Sequence, residues 1–222
     1  MAQEPYPVSV MGELTEPPAR GWWLIKWLLA LPHYIILVFL WIAFVVVTII
    51  AFFAILFTAK YPRGLFNFNV GVLRWGWRVG FYSYQALGTD KYPPFTLKSV
   101  ADYPADLEVE YPEKLSRGLV LVKWWLLAIP HYIVVGIFQG GWRWDSAPFM
   151  GDWTSAPWSA GSGEGAGLIF VVVIIAAIAL LFTGKYHQDI FKFVIGLNRW
   201  SYRVAAYAAL MTDKYPPFRL WD

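Results

Sequence analysis

The stretch from Arg20 to Tyr61, RGWWLIKWLLALPHYIILVFLWIAFVVVTIIAFFAILFTAKY, limits what the chain can fold into more than any other part of it. Between Trp22 and Phe57 it carries one formal charge, Lys26, and one histidine, His33. A bilayer crossing needs about 20 apolar residues. This run is longer than that and too apolar for the core helix of a soluble domain. The whole chain is 58% hydrophobic, against about 45–50% for soluble domains. Its 14 Trp and 13 Tyr suit bilayer interfaces, where an amphipathic ring is half dry and half wet. The expectation is an integral membrane protein, with membrane lipid as its first partner.

Other classes are disfavoured by what is missing. The net charge of +3 is modest, and no basic cluster or motif for nucleic acid occurs. With no cysteine there is no disulfide, thiolate metal site or cysteine nucleophile. The first twenty residues, MAQEPYPVSVMGELTEPPAR, are polar and proline-rich, unlike a cleavable signal peptide.

The chain is an internal duplication. Tyr6–Gly21 lines up with Tyr103–Gly118, and KWLLALPHYI from Lys26 with KWWLLAIPHYI from Lys123. LFTAKY at Leu56 answers LFTGKY at Leu181, RWGWRV at Arg74 answers RWSYRV at Arg199, and TDKYPPF occurs at Thr89 and again at Thr212. The first repeat is 1–98 and the second 99–222. The second carries an insertion, 139–167, rich in Gly, Ser, Pro and Trp, which reads as a loop. It splits the second apolar run into two pieces, each near one crossing in length. By alignment the first run is expected to be a hairpin too, turning near Leu40–Phe44. The rival is a single span over Tyr34–Phe57 preceded by an interfacial helix. Charge favours the hairpin. Eight Lys and Arg lie between Lys60 and Arg117 and six between Lys185 and Arg219, but only Arg143 lies in the insertion. Under the positive-inside rule both termini and the middle are cytoplasmic and the insertion is outside, which requires an even number of crossings per repeat.

After each apolar run comes an amphipathic segment. Asn67, Arg74, Arg78 and Gln85 are spaced to share one narrow helical face, and Lys192, Arg199 and Arg203 repeat the stripe. A helix of this kind fits the head-group plane, because arginine at mid-bilayer costs about 2.5 kcal/mol or more. The fold class expected is therefore all-α integral membrane: two tandem repeats, each a transmembrane hairpin followed by an interfacial amphipathic helix. The leaders add minor β, since Val8–Val10 and Leu107–Glu110 alternate like short strands that could pair.

These motifs, PHY, T-[AG]-KY, RW-x-x-RV and TDKYPPF, resemble those of a family of small membrane proteins common in actinobacteria and catalogued as a domain of unknown function. The resemblance implies a bacterial plasma-membrane protein, often duplicated, with no established activity or site residues.

Four groups of residues are candidate sites. His33 and His131 each lie in a Pro-His-Tyr motif within an apolar helix, where ionisable residues are functional candidates. They could serve as the two axial ligands of a haem b or one could ligate a chlorophyll-type magnesium. The alternative is structural: proline frees a backbone carbonyl one turn back, and His or Tyr satisfies it. Arg74, Arg78, Arg199 and Arg203 could hold anionic head groups or pair internally, with Asp90 and Asp213 as the expected partners. Lys60 and Lys185 read as interface anchors. Trp142, Trp144, Trp153 and Trp158 in the insertion could bind a partner. No nucleophile elbow, Walker loop, HExxH or dinucleotide fingerprint occurs. The function expected is a non-catalytic accessory or scaffolding subunit of a larger membrane protein complex. The rivals are a tetrapyrrole-binding protein using His33 and His131, and a lipid or small-solute carrier.

Overall fold

The computed structural model describes residues 6–140 and 167–221. The four tryptophans of the insertion, Trp142, Trp144, Trp153 and Trp158, lie outside the described residues. The elements in chain order are β1 (Val8–Gly12), α1 (Trp23–Thr58), α2 (Arg63–Tyr82), β2 (Ala105–Val109), α3 (Leu119–Val122), a π-helical turn (Lys123–Leu127), α4 (Ile129–Gln139), α5 (Leu168–Thr183) and α6 (Gln188–Ala208).

The leaders pair as their alternation suggests. β1 and β2 form an antiparallel ribbon in which Val10 faces Leu107, Val8 faces Val109 and Gly12 faces Ala105. Val10 and Leu107 are also counterparts in the repeat alignment, and the flanking pairs exchange counterparts. This is the self-complementary contact of a two-fold dimer, here built inside one chain. The two-fold passes through other counterparts as well. The rings of Trp77 and Tyr202, aligned in the two copies, meet at 5.5 Å. Arg74 donates to the carbonyl of Leu107 at 2.9 Å, and its counterpart Arg199 reaches the carbonyl of Val10 at 3.5 Å. Each repeat thus grips the other's strand.

α2 and α6 pack on one face of this ribbon. Arg74, Trp77, Arg78 and Phe81 of α2 point toward it, and Asn69, Trp75 and Val79 point the opposite way, against α1. The molecule therefore has three layers: the ribbon, then α2 and α6, then α1 with α3–α5. α2 and α6 are enclosed along most of their lengths, so the expected interfacial placement is corrected. Arg74, Arg78, Arg199 and Arg203 of their stripes face the ribbon and its leader, while Asn67 and Lys192 are exposed. Both middle-layer helices also need a close backbone approach. A Cβ on Gly71 would lie 2.7 Å from the Leu97 Cβ, and one on its counterpart Gly196 would lie 3.1 Å from the Leu220 Cβ.

The hairpin expected near Leu40–Phe44 is also corrected. α1 runs unbroken for 36 residues. The segment Leu-Trp-Ile-Ala-Phe holds no glycine, proline or polar residue to interrupt the backbone ladder, so the helix continues to a left-handed cap at Ala59. In the second repeat the division is supplied by the insertion. α1 is the one helix, among the described residues, long and apolar enough to cross a membrane; the pair Leu119–Leu127 and Ile129–Gln139, bent by 44°, would make a second.

The π turn has a cause in the sequence. The second repeat has one more residue than the first between its lysine and its proline, KWWLLAIP against KWLLALP. The Ala128 N–H reaches back five residues to the Lys123 carbonyl at 3.1 Å, which absorbs the extra residue and keeps lysine and histidine in register. Deleting Trp124, which is 41% exposed, should restore an α turn and shift stability by no more than about 1 kcal/mol. Thermal unfolding in mild detergent checks this; a loss of cooperative folding would refute it.

Candidate functional site

The recurring motifs converge on one arrangement, built twice. After α2 the TDKYPPF segment folds back over the start of α1. Lys26, fully enclosed, donates to the Thr89 carbonyl at 2.7 Å and lies 2.8 Å from Asp90 Oδ1. In the second repeat Lys123 meets the Thr212 carbonyl at 3.0 Å and Asp213 Oδ1 at 2.7 Å. The other oxygen of each aspartate takes a leader N–H, from Ala19 and from Ser116, both at 2.6 Å. Each lysine also sits over a tyrosine ring, Tyr82 at 5.0 Å and Tyr207 at 5.7 Å. One aspartate therefore ties leader, apolar helix and C-terminal segment together.

Two turns further on is the histidine. Trp75 Nε1–H donates to His33 Nδ1 at 3.1 Å, and Trp200 does the same to His131. Phe95 stacks on His33 at 4.0 Å, and Phe218 on His131 at 4.3 Å. Tyr92 and Tyr215 complete each box. An Nδ1 that accepts fixes the neutral Nε2–H tautomer. Neither Nε2 makes a hydrogen bond of good geometry. A tyrosine of each TDKYPPF segment bonds the carbonyl three residues before the helix proline, and in the second repeat Tyr132 of the Pro-His-Tyr motif donates to the Trp124 carbonyl. Tyr92 donates to Leu29 at 3.0 Å, and Tyr215 to Leu127 at 3.1 Å.

The structure does not bring His33 and His131 together. Each is 0% exposed inside a box made by its own repeat, which does not fit two imidazoles facing one iron. Both serve as packing groups and as acceptors for a buried indole. Replacing His33 by Ala should strand the Trp75 N–H and cost about 1–3 kcal/mol, read as a lowered unfolding midpoint. A midpoint equal to that of the parent protein would contradict this role.

The arginines pair internally, with a partner other than the one expected. Arg74 Nε lies 2.9 Å from Asp106, and Arg78, 0% exposed, lies 3.4 Å from the same carboxylate. Arg78 also donates to the Lys98 carbonyl at 2.5 Å and to the Thr96 carbonyl at 3.3 Å. Burial pushes its pKa below the ordinary guanidinium value, and Asp106 opposes that. Asp90 and Asp213, the expected partners, are engaged by the lysines. Arg199 bonds the β1 backbone, and Arg203, 2% exposed, lies 5.4 Å from the Tyr6 ring. Sequence reasoning missed Asp106 because its counterpart is Ser9, so recurrence gave no signal. It overlooked Lys26 and Lys123, although both recur in the KW motifs. Among the described residues no group of three His, Asp or Glu is placed to hold a metal ion.

A second feature lies where α1 ends. Lys60, Arg63, Lys114 and Arg117 line a cavity of about 600 Å³ together with Thr58, Ala59, Tyr111 and Glu113. The cap residue Ala59 has φ 58°, and its counterpart Gly184 has φ 69°.

Comparison with curated proteins and with solved structures gives no match. One family model matches in two blocks, residues 21–96 and 165–219. The blocks cover more than half of the chain and fall one in each repeat, and the gap between them takes in the second leader, α3–α4 and most of the insertion. The chain belongs to the family described as Domain of unknown function (DUF4389).

Proposed function

We propose that this protein is a non-catalytic accessory or scaffolding subunit of a larger membrane complex, held in the bilayer by its third layer. One observation carries the reading. About half of the circumference of α1 is exposed, and that half is apolar from end to end: Leu24, Leu28, Ile35, Phe39, Ile42, Val46, Ile49, Phe53 and Phe57. α5 and the α3–α4 pair, in the same layer, add exposed Ile, Leu, Phe and Trp. A surface of that extent marks a membrane or protein interface. The buried Lys26, His33 and Arg78, with Lys123 and His131 in the second repeat, are by contrast committed to internal fastenings.

The length of α1 bears on topology. At 1.5 Å per residue its 36 residues extend for about 54 Å. Spanning a bilayer of about 40–45 Å, head groups included, would need a tilt of roughly 35–40°, at the upper edge of the range of about 0–40° seen for spans. Cations also flank both ends, Arg20 and Lys60. We read α1 and its counterpart as lying along one leaflet, with both ends and both chain termini on the cytoplasmic face. An even number of crossings, deduced from charge, is then met by none.

The test is purification in mild detergent from alkali-washed membranes, followed by native mass spectrometry and an absorption spectrum. The expected result is retention through the wash, recovery in a heteromeric assembly that Phe39→Asp/Val46→Asp disrupts, and no Soret band. Release by alkali, or a Soret band lost in His33→Ala and His131→Ala, would overturn it.

A further inference from the structure

The buried cations of the two lysine locks and of α2 each have a carboxylate beside them. The four at the end of α1 do not: none of Lys60, Arg63, Lys114 and Arg117 is ion-paired among the described residues. They nevertheless line one cavity, with Glu113 as its single acid. The walls are tied in place. The Leu115 N–H bonds the Ala59 carbonyl at 2.9 Å, Tyr111 donates to the Tyr61 carbonyl at 2.5 Å, and the Arg63 guanidinium stacks 4.4 Å from the Tyr111 ring. The N-terminus of α2, with its partial positive charge, begins at Arg63.

The duplication supplies an internal control. The counterparts of Lys60, Arg63, Lys114 and Arg117 are Lys185, Gln188, Pro17 and Arg20, two cations in place of four. Packing and locks were copied between the repeats, while this charge belongs to one end of the molecule. Phe53 and Phe57, 52% and 71% exposed, lead directly up to it along α1. Cations beside a long apolar face suit a ligand with a phosphate at one end and hydrocarbon at the other.

We propose that this cavity binds the phosphate of an anionic phospholipid, with Lys60, Lys114 and Arg117 taking its oxygens and the acyl chains lying along α1 past Phe57. The proposal rests on the membrane reading above. A free phosphate shares the head-group chemistry, so the experiment separates the two sources.

The full chain is reconstituted into phosphatidylcholine vesicles containing a minor fraction of phosphatidylglycerol, and lipid kept after gentle extraction is measured by mass spectrometry. The parent protein should enrich phosphatidylglycerol. A cation taking a phosphate oxygen in the cavity is worth about a factor of five over one merely near the surface, so Lys60→Gln/Lys114→Gln/Arg117→Gln should lower the enrichment roughly a hundred-fold. Arg20→Gln/Lys185→Gln, at the equivalent place in the other repeat, should leave it within a few-fold. The replaced side chains are exposed, and a cooperative unfolding transition matching that of the parent protein shows that the variant is folded. Equal enrichment in the triple variant would overturn the site and leave the membrane reading standing. Displacement of the lipid by inorganic phosphate, or phosphate binding in the absence of lipid, would assign the cavity to a soluble anion and overturn the lipid. Failure of the parent protein to enter vesicles would overturn both readings.

Discussion

Replacing Asp106 by Ala is expected to destabilise the protein by about 3–5 kcal/mol, the cost of leaving a buried charge without its partner. Asp106 lies within 3.4 Å of both Arg74 and Arg78, and Arg78 has no exposure to solvent. The same carboxylate accepts from the Ser99 hydroxyl and, at 2.9 Å, from the Leu107 N–H. One side chain therefore holds α2 to β2 and orders the turn before the strand. Asp106→Asn keeps the shape and loses the charge, so it should recover only the hydrogen-bonded part of the loss. Denaturation in detergent compares the three proteins. Equal stability of Asp106→Ala and the parent would mean that water reaches the arginines and that the middle layer is not closed.

The second large effect concerns the locks. Asp90→Ala leaves Lys26 enclosed with only the Thr89 carbonyl and the Tyr82 ring beside it, and it frees the Ala19 N–H to water. A loss of about 3 kcal/mol or more is expected. A buried ion pair replaced whole by apolar groups is often neutral or better. The double variant Asp90→Ala/Lys26→Met should therefore be more stable than Asp90→Ala alone, by about 1–3 kcal/mol. The same cycle on Asp213 and Lys123 should give the same sign, since the distances repeat to within about 0.3 Å. A double variant less stable than either single change would show that lysine and aspartate act independently. Both losses are a large share of the 5–15 kcal/mol typical of a folded domain.

Much of this was legible in the sequence because duplication repeats its information. The aligned leaders showed the alternation that becomes β1 and β2, and the pairing came from asking where two equivalent strands could go. The extra residue in KWWLLAIP is visible by eye, and its conversion to a π turn follows from the need to keep two contacts in register. What misled was recurrence used alone. Asp90 and Asp213 recur with the arginines and so looked like their partners, but the lysines one helix away compete for them and win. Asp106, unpaired in the alignment because Ser9 stands opposite, takes the arginines. The hairpin was inferred by carrying the insertion's break back into the first repeat. Nothing between Leu40 and Phe44 supports a turn, and local sequence decided. The charge rule constrains only which side the ends lie on, and an unbroken helix lying along a leaflet would meet it as well as a hairpin would. The cavity at Lys60 was passed over because each cation alone reads as an interface anchor; only the fold puts Lys114 and Arg117 beside it.

The most direct test of an α1 lying along one leaflet is a depth profile. The chain has no cysteine, so single cysteines at Leu28, Ile35, Ile42, Ile49 and Phe53 can each carry a spin label in protein reconstituted into vesicles. The collision rates with oxygen and with a water-soluble nickel chelate then report depth. All five positions should lie at a similar, shallow depth inside the apolar region, with no trend from Leu28 to Phe53. A profile that passes through the bilayer centre and out again, or that returns to water near Ile42, would mean that α1 crosses or turns and does not lie along one leaflet.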